Sequence, residues 1–297
     1  MEKNKSAAHQ RLGLAGTAGE FLIGNDLRVT RLGFGAMRIT GNGIWGPPAD
    51  RAGAIQVLRR AVELGIDFID TADSYGPGVS EEIIAEALHP YPANLVIATK
   101  GGFERPGPNR WVENGKPEHL RSACEGSLRR LRLDRIDLYQ LHRIDPKVPL
   151  EDQLGTLKAL QTEGKIKHIG LSEVTVLQIQ RAQGIVPIVS VQNRYSVADR
   201  RSDDVLEYCE KEEMAFIPWF PLAAGQLTRE DSPVRRVAER LKATPSQVAL
   251  AWLLARSPVI LPIPGTSSVP HLEENVAAAG LKLNDNKMQE LRHAVHG

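Results

Sequence analysis

Short apolar runs alternate with stretches of helical periodicity from residue 32 almost to the end of the chain. The apolar runs at 32–37, 67–72, 95–99, 136–141, 166–171, 188–191, 214–220 and 259–263 read as strands. Residues 52–64, 80–88, 117–131, 150–163, 174–183, 202–211, a region reaching 241, 245–256 and 269–279 read as helices. Local signals support this division. Ile55, Leu58 and Val62 recur at helical spacing and Gly65 stops that helix. Ser80 caps the next one, with Glu81 and Glu82 in its first turn, and Pro117 opens another. Ahead of the series, 21–23 and 27–29 flank Gly24-Asn25-Asp26 and read as a small hairpin. Eight strand–helix units over about 250 residues match the α/β class and, within it, a (β/α)8 TIM barrel. No linker rich in Pro, Ser or Gly divides the series. The expectation is therefore a flexible segment over 1–20 and one barrel domain over 21–297.

Composition narrows the partners. The chain has 297 residues, 42% hydrophobic and 25% charged, with a formal net charge of +1. That balance gives no basic footprint for nucleic acid or an anionic membrane surface. No run approaches the ~18 apolar residues of a membrane helix, and residues 1–20 lack the apolar core of a signal peptide. Cys124 and Cys209 are far apart and in no metal-ligand spacing. They read as free thiols in a reducing, cytoplasmic compartment, with no metal site. A small molecule is the expected partner, bound by a monomer or weak homo-oligomer.

The strand ends carry the chemistry. Asp70 closes the second run, with Tyr75 just beyond it. Lys100, His142, Ser172, Gln192, Trp219 and Gly265 stand at or just past the later ones. In a barrel these ends share one rim, where the loops build the active site. A carboxylate, a phenol, an ammonium and an imidazole on that rim suit proton donation to a carbonyl that receives a hydride. The ammonium is expected to lower the phenol's pKa, the carboxylate to hold the ammonium, and a neutral imidazole to donate to the substrate oxygen. No side chain supplies a hydride, so a nicotinamide cofactor is required. Gly41-Asn42-Gly43-Ile44-Trp45-Gly46 fits the G-x-G-x-x-G pattern. Pro47-Pro48 follow it where a Rossmann loop would open a helix, so it reads instead as a rim loop carrying Trp45. Trp45, Phe103 and Trp111 are the candidate substrate-pocket aromatics.

Over nearly its whole length the sequence resembles the aldo-keto reductases. The resemblance rests on Ile69-Asp70-Thr71-Ala72-Asp73-Ser74-Tyr75-Gly76, Ala98-Thr99-Lys100 and Leu138-Tyr139-Gln140-Leu141-His142. It implies a catalytic tetrad of Asp70, Tyr75, Lys100 and His142, with Tyr75 as the acid, and NADPH as cofactor with NADH open. It further implies that Ser172 and Gln192 meet the nicotinamide carboxamide and that Trp219 stacks on the ring. Gly265, Thr266 and Ser267 would lie at the adenosine phosphate, with Glu274 and Asn275 at the adenine. Two positions depart from the family pattern. Glu173 stands where Asn is usual after the serine, and His271 stands where many NADP-dependent members carry Arg. Trp45-Gly46-Pro47-Pro48, His168-Ile169-Gly170-Leu171-Ser172, Val191-Gln192-Asn193 and Pro264-Gly265-Thr266-Ser267-Ser268 are similar to the bacterial pyridoxal reductase branch. That similarity implies reduction of pyridoxal to pyridoxine. The alternative is a non-enzymatic nicotinamide-binding barrel serving as a sensor or regulatory subunit.

Overall fold

A computed structural model describes residues 13–222 and 232–292. Strands β1 (Glu20–Ile23) and β2 (Leu27–Thr30) pair antiparallel. The main sheet is built from β3 (Phe34–Gly35), β4 (Phe68–Asp70), β5 (Val96–Gly101), β8 (Ile136–Leu141), β9 (Ile166–Ser172), β10 (Ser190–Gln192) and β11 (Ala215–Phe216). These seven run in the order β11-β10-β9-β8-β5-β4-β3, and every neighbouring pair is parallel. Between β5 and β8, β6 (Phe103–Gly107) and β7 (Arg110–Glu113) form a separate antiparallel hairpin.

The sheet curls until its two edges meet the same segment. Phe216 N donates to Val259 O (2.9 Å) and Leu261 N to Phe216 O (2.9 Å) on one side. On the other, Gly33 N donates to Pro262 O (2.9 Å). The fold is thus of the TIM-barrel kind. Residues 259–263, expected as a strand, form only an isolated bridge at Ile260. Pro262 and Pro264 have no N–H to offer a ladder, which is why the segment closes the sheet without regular pairing. Pro218 likewise limits the expected strand 214–220 to Ala215–Phe216. The run 32–37 pairs only at Phe34–Gly35 before turning into a 3-10 helix, Ala36–Ile39.

Helices alternate with the strands: α1 (Arg51–Glu63), α2 (Val79–Leu88), α3 (Pro117–Leu131), α4 (Leu150–Thr162), α5 (Val176–Gln183), α6 (Asp203–Lys211), α7 (Pro233–Leu241), α8 (Pro245–Arg256), α9 (Val269–Ala277) and α10 (Asp285–Arg292). The helical region expected before 241 is α7 in its later part, and its residues 223–231 lie outside the described residues. Of the flexible segment expected over 1–20, residues 1–12 also lie outside them. The remainder is structured: Leu14–Ala18 is a 3-10 helix with Ala15 buried, and Ala15 N donates to Leu64 O (3.0 Å). The hairpin β6–β7 and the terminal helix α10 have no counterpart in the sequence reading.

Strand alternation divides the core and positions the site. Ile69, Ile97, Tyr139, Leu141, Ile169 and Leu171 pack outward against the helices. Phe68, Val96, Ala98, Leu138, Ala215, Ile217, Leu261 and Ile263 form the apolar interior, together with Ile23, Leu27 and Val29 of the β1–β2 hairpin. Two residues further along their strands, the same inward face turns polar: Asp70 follows Phe68, Lys100 follows Ala98, Gln140 follows Leu138. The register sets Lys100 opposite Gln140 and Asp70 opposite Ala98, and the Lys100 side chain spans the step back to the Asp70 carboxylate (2.7 Å). An apolar floor below and a buried polar layer above define where the chemistry sits.

Candidate active site

Lys100 is the hub of the polar layer. Its ammonium is fully buried and donates to Asp70 Oδ2 (2.7 Å) and Thr71 O (2.7 Å), with Tyr75 OH at 3.5 Å. Asp70 Oδ1 accepts from Gln140 Nε2 (3.1 Å) and Gln192 Nε2 (2.8 Å). Both carboxylate oxygens are therefore satisfied, which a buried charge requires. Burial alone would lower the Lys100 pKa. The charges of Asp70 and Tyr75 and their hydrogen bonds outweigh it, so Lys100 titrates above its usual range. The ammonium stays protonated at neutral pH.

Tyr75 sits on the loop after β4, its ring 5.1 Å from Lys100 Nζ. Gly76 makes the turn there with φ 95°, and a Cβ on it would fall 2.4 Å from the Val79 side chain. The sequence reading expected Lys100 to lower the phenol's pKa. The structure reverses the net direction. Burial raises it, and Lys100 offsets that only in part. Tyr75 thus keeps its proton at neutral pH until something beside it becomes basic.

His142 is buried, with its ring centroid 5.9 Å from that of Tyr75. Ser74 Oγ and His142 Nδ1 lie 3.3 Å apart. Burial lowers the imidazole pKa well below the usual value, and the charges of Lys100, Arg143 and Arg105 lower it further. His142 is neutral at pH 7. Phe103 and Trp111 close over it, at 4.7 Å and 6.2 Å between ring centroids, and Trp111 lies 6.4 Å from Tyr75. The hairpin β6–β7 carries both aromatics. The structure therefore brings Asp70, Tyr75, Lys100, His142, Phe103 and Trp111 together.

Trp45 reaches the same mouth through Arg105, a residue the sequence reading missed. The Arg105 guanidinium lies 3.6 Å from the Trp111 centroid and 5.7 Å from that of Trp45. It donates to Ser74 O (2.6 Å), Ile44 O (3.0 Å), Gly43 O (3.1 Å) and, through Nε, Arg110 O (2.9 Å). One side chain thus fastens the first loop, the Tyr75 loop and the hairpin. Its signal was an arginine flanked by Phe103 and Trp111, visible only once the hairpin is known. The Gly41–Gly46 stretch opens no helix: α1 begins at Arg51, capped by Asp50.

The expected cofactor residues are more spread out. Ser172 is buried at the end of β9, and its Oγ accepts from Arg143 Nη1 (3.0 Å). The amide nitrogen of Gln192 is committed to Asp70, leaving Oε1 as the atom not held by that carboxylate. Trp219 donates from Nε1 to Glu173 Oε1 (2.6 Å), and the same oxygen accepts from Arg194 N (2.6 Å). The departure at 173 thus has a physical role: an acidic side chain ties the Trp219 indole in place, where an amide would offer a weaker acceptor. Gly265 packs so closely that a Cβ would fall 2.5 Å from Gly35 O. Ser268, just before α9, gives the helix no side-chain cap, while Thr266 Oγ1 accepts from Ser268 N (3.1 Å). Ser267 and His271 are exposed beside that helix start, and Asn275 is buried. Glu274 differs from expectation. Its Oε1 accepts from Thr244 Oγ1 (2.6 Å), committing the carboxylate to the start of α8.

Among the described residues no group of three or more His, Cys, Asp or Glu could hold a metal ion, and no helix is long and apolar enough to cross a membrane. Cys124 and Cys209 are free and buried.

Residues 31–296 match the Aldo/keto reductase family. An uncharacterized oxidoreductase of Schizosaccharomyces pombe is 53% identical over 277 residues, covering 93% of this chain and 90% of its own. The pyridoxine 4-dehydrogenase of Escherichia coli is 46% identical over 269 residues, covering 89% and 94%. A solved aldo-keto reductase of Klebsiella pneumoniae in complex with NADPH superposes with a TM-score of 0.78 at 26% identity, covering 93% and 95%.

Proposed function

The chain belongs to the aldo/keto reductase family. On that premise we propose that it is an NADPH-dependent carbonyl reductase that converts the aldehyde of pyridoxal to the alcohol of pyridoxine, with Tyr75 as proton donor. The observation that carries the reading is the buried Lys100 ammonium, held by Asp70 at 2.7 Å and placed 3.5 Å from the Tyr75 hydroxyl.

When bound, the nicotinamide supplies the hydride to the carbonyl carbon. The side chains supply the rest. As negative charge grows on the carbonyl oxygen, the Tyr75 O–H proton passes to it. The phenolate left behind faces Lys100, whose charge Asp70, Gln140 and Gln192 keep in place. Preorganised donors of this kind act at the moment charge develops and need no reorganisation. Neutral His142 is a second donor toward the same oxygen. Phe103, Trp111 and Trp45 give the mouth the apolar walls that a flat ring requires.

The donor set also suits the nucleotide. Uncapped N–H groups at the start of α9, with the Ser267 hydroxyl and His271 beside them, suit an anion such as a phosphate. Trp219, fixed by Glu173, would present a flat face to the nicotinamide, with Ser172 and Gln192 Oε1 at its carboxamide.

The test is a fluorescence titration with NADPH and NADH, followed by an aldehyde panel that includes pyridoxal. Tighter binding of NADPH and turnover of pyridoxal are expected. Nucleotide binding with no reduction of any aldehyde would overturn the assignment.

A further inference from the structure

Arg143 directly follows His142 and takes no part in the tetrad. Its guanidinium lies 5.5 Å from the Phe103 centroid. Nη1 donates to His142 O (2.6 Å) and Ser172 Oγ (3.0 Å). A guanidinium has five N–H groups in a planar fork, so Nε and Nη2 retain donors beyond these two bonds. Among the described residues Arg143 makes no ion pair. Glu173 and Glu113 are the carboxylates whose charge reaches it, yet Glu173 is committed to Trp219 and Arg194 N.

The contrast with Lys100 is sharp in chemical terms. The tetrad's cation has its carboxylate at 2.7 Å. The cation beside His142 is half-buried and has none. Arg105, across the mouth, also bonds only to backbone carbonyls. Burial shifts the Arg143 pKa down, and the charges of Glu173, Tyr75 and Glu113 only offset this. The residue remains charged, because guanidinium pKa values exceed any pH the protein meets. A partly desolvated cation with no carboxylate in contact is costly unless a partner arrives to pair with it. The mouth between Phe103, Trp111 and His142 is where such a partner can enter.

We propose that Arg143 is a specificity residue that selects ring aldehydes bearing an anionic oxygen, a carboxylate or phenolate, on the same ring as the carbonyl. This rests on the reductase reading above and names its substrate class. The planar fork suits a carboxylate or phenolate edge-on, while the ring it belongs to lies against Phe103. Pyridoxal, with a phenolic oxygen beside its aldehyde carbon, is one member of the class. An unsubstituted benzaldehyde is not.

The test compares 2- and 3-carboxybenzaldehyde with benzaldehyde in the wild type, Arg143→Gln and Arg143→Lys. In the wild type at least one carboxylated aldehyde has the higher kcat/KM. In Arg143→Gln the ratio of carboxylated to plain aldehyde falls about 10- to 100-fold, the range for a lost hydrogen bond to a charged group. The loss appears mainly in KM, and Arg143→Lys restores part of it. A purely structural role would lower both aldehydes together and leave the ratio unmoved, which would overturn the proposal. So would an Arg143→Gln variant whose NADPH binding weakens by the same factor, because the guanidinium would then serve the cofactor. Calorimetric binding of 2-carboxybenzyl alcohol and benzyl alcohol to the NADPH-loaded protein reads the same preference without turnover. A protein that reduces no aldehyde thus sinks the reductase reading, while a binding ratio indifferent to Arg143 sinks this one.

Discussion

Two carboxylates three residues apart have opposite surroundings. Asp70, at the end of β4, accepts from Lys100, Gln140 and Gln192, which lie 30, 70 and 122 residues away in sequence. Asp73, on the loop beyond, has a buried Oδ1 with no hydrogen-bond partner. Burial, then the charge of Glu81, push its pKa up to about 8. Glu81 itself is held by Arg130 Nε (2.7 Å) and Thr99 Oγ1 (2.6 Å), and the charge of Arg130 offsets the rise at Asp73 only in part. The lesson concerns what a barrel rim supplies. A strand end delivers a side chain into a layer where every neighbouring strand adds a donor. A loop residue of identical chemistry gets only what the loop happens to pass.

The strongest challenge to this contrast is removal of the hub. Lys100→Met leaves Asp70 buried without its ammonium. The variant should lose about 3–5 kcal/mol of unfolding free energy, the cost of breaking a buried pair from one side. Urea denaturation measures that loss, and NADPH consumption should vanish with it. A variant as stable as the wild type would mean that the pair does not hold the layer together.

Asp73→Asn sharpens the other side. A carboxyl whose folded pKa is about 8 against an ordinary value of 3.8 is protonated in the folded chain and ionised in the unfolded chain between those limits. Its favourable contribution is complete below about pH 4 and is lost as pH rises towards 8. Asparagine removes that dependence. The variant should gain about 1–3 kcal/mol at pH 8–9, by the cost of a poorly paired buried polar group, and gain least near pH 4. Denaturation curves at pH 5, 7 and 9 check the sign. A gain that does not grow with pH would show that Asp73 is paired after all.

A smaller effect is expected at Gln140. Gln140→Leu removes one of the two amides on Asp70 Oδ1 while Gln192 remains. The loss should be about 1.5–3 kcal/mol, the range for one hydrogen bond to a charged group. Turnover should fall less than in Lys100→Met, because the Lys100–Asp70 contact persists. Equal losses in the two variants would make the amides as important as the ammonium.

The same contrast explains what the sequence revealed. Asp70, Lys100 and His142 were legible because each ends an apolar run, and strand alternation then carries it to the inner face. The pairing of Asp70 with Lys100 was legible, but the two amides on Asp70 Oδ1 were not, because sequence separation hides which strands become neighbours. Gln140 stands two residues before His142 and has no role until the register places it beside Lys100. The closing segment looked like a strand by its apolar content, but Pro262 and Pro264 deny it a ladder. Phe103 and Trp111 were recognised as aromatics, yet their hairpin was not, and with it went Arg105. Arg143 was overlooked for a different reason. An arginine after a histidine carries no local signal, and only the lack of a carboxylate in contact with it, among the described residues, singles it out.

The central claim is that Tyr75 delivers the proton from a site prebuilt by Asp70 and Lys100. Single-turnover oxidation of NADPH by pyridoxal in Tyr75→Phe, with NADPH binding followed by fluorescence, tests it most directly. Retained NADPH binding is expected, with a transfer rate lower by about 10²–10⁴-fold, the range for general acid help. A transfer rate like that of the wild type in this variant would contradict it.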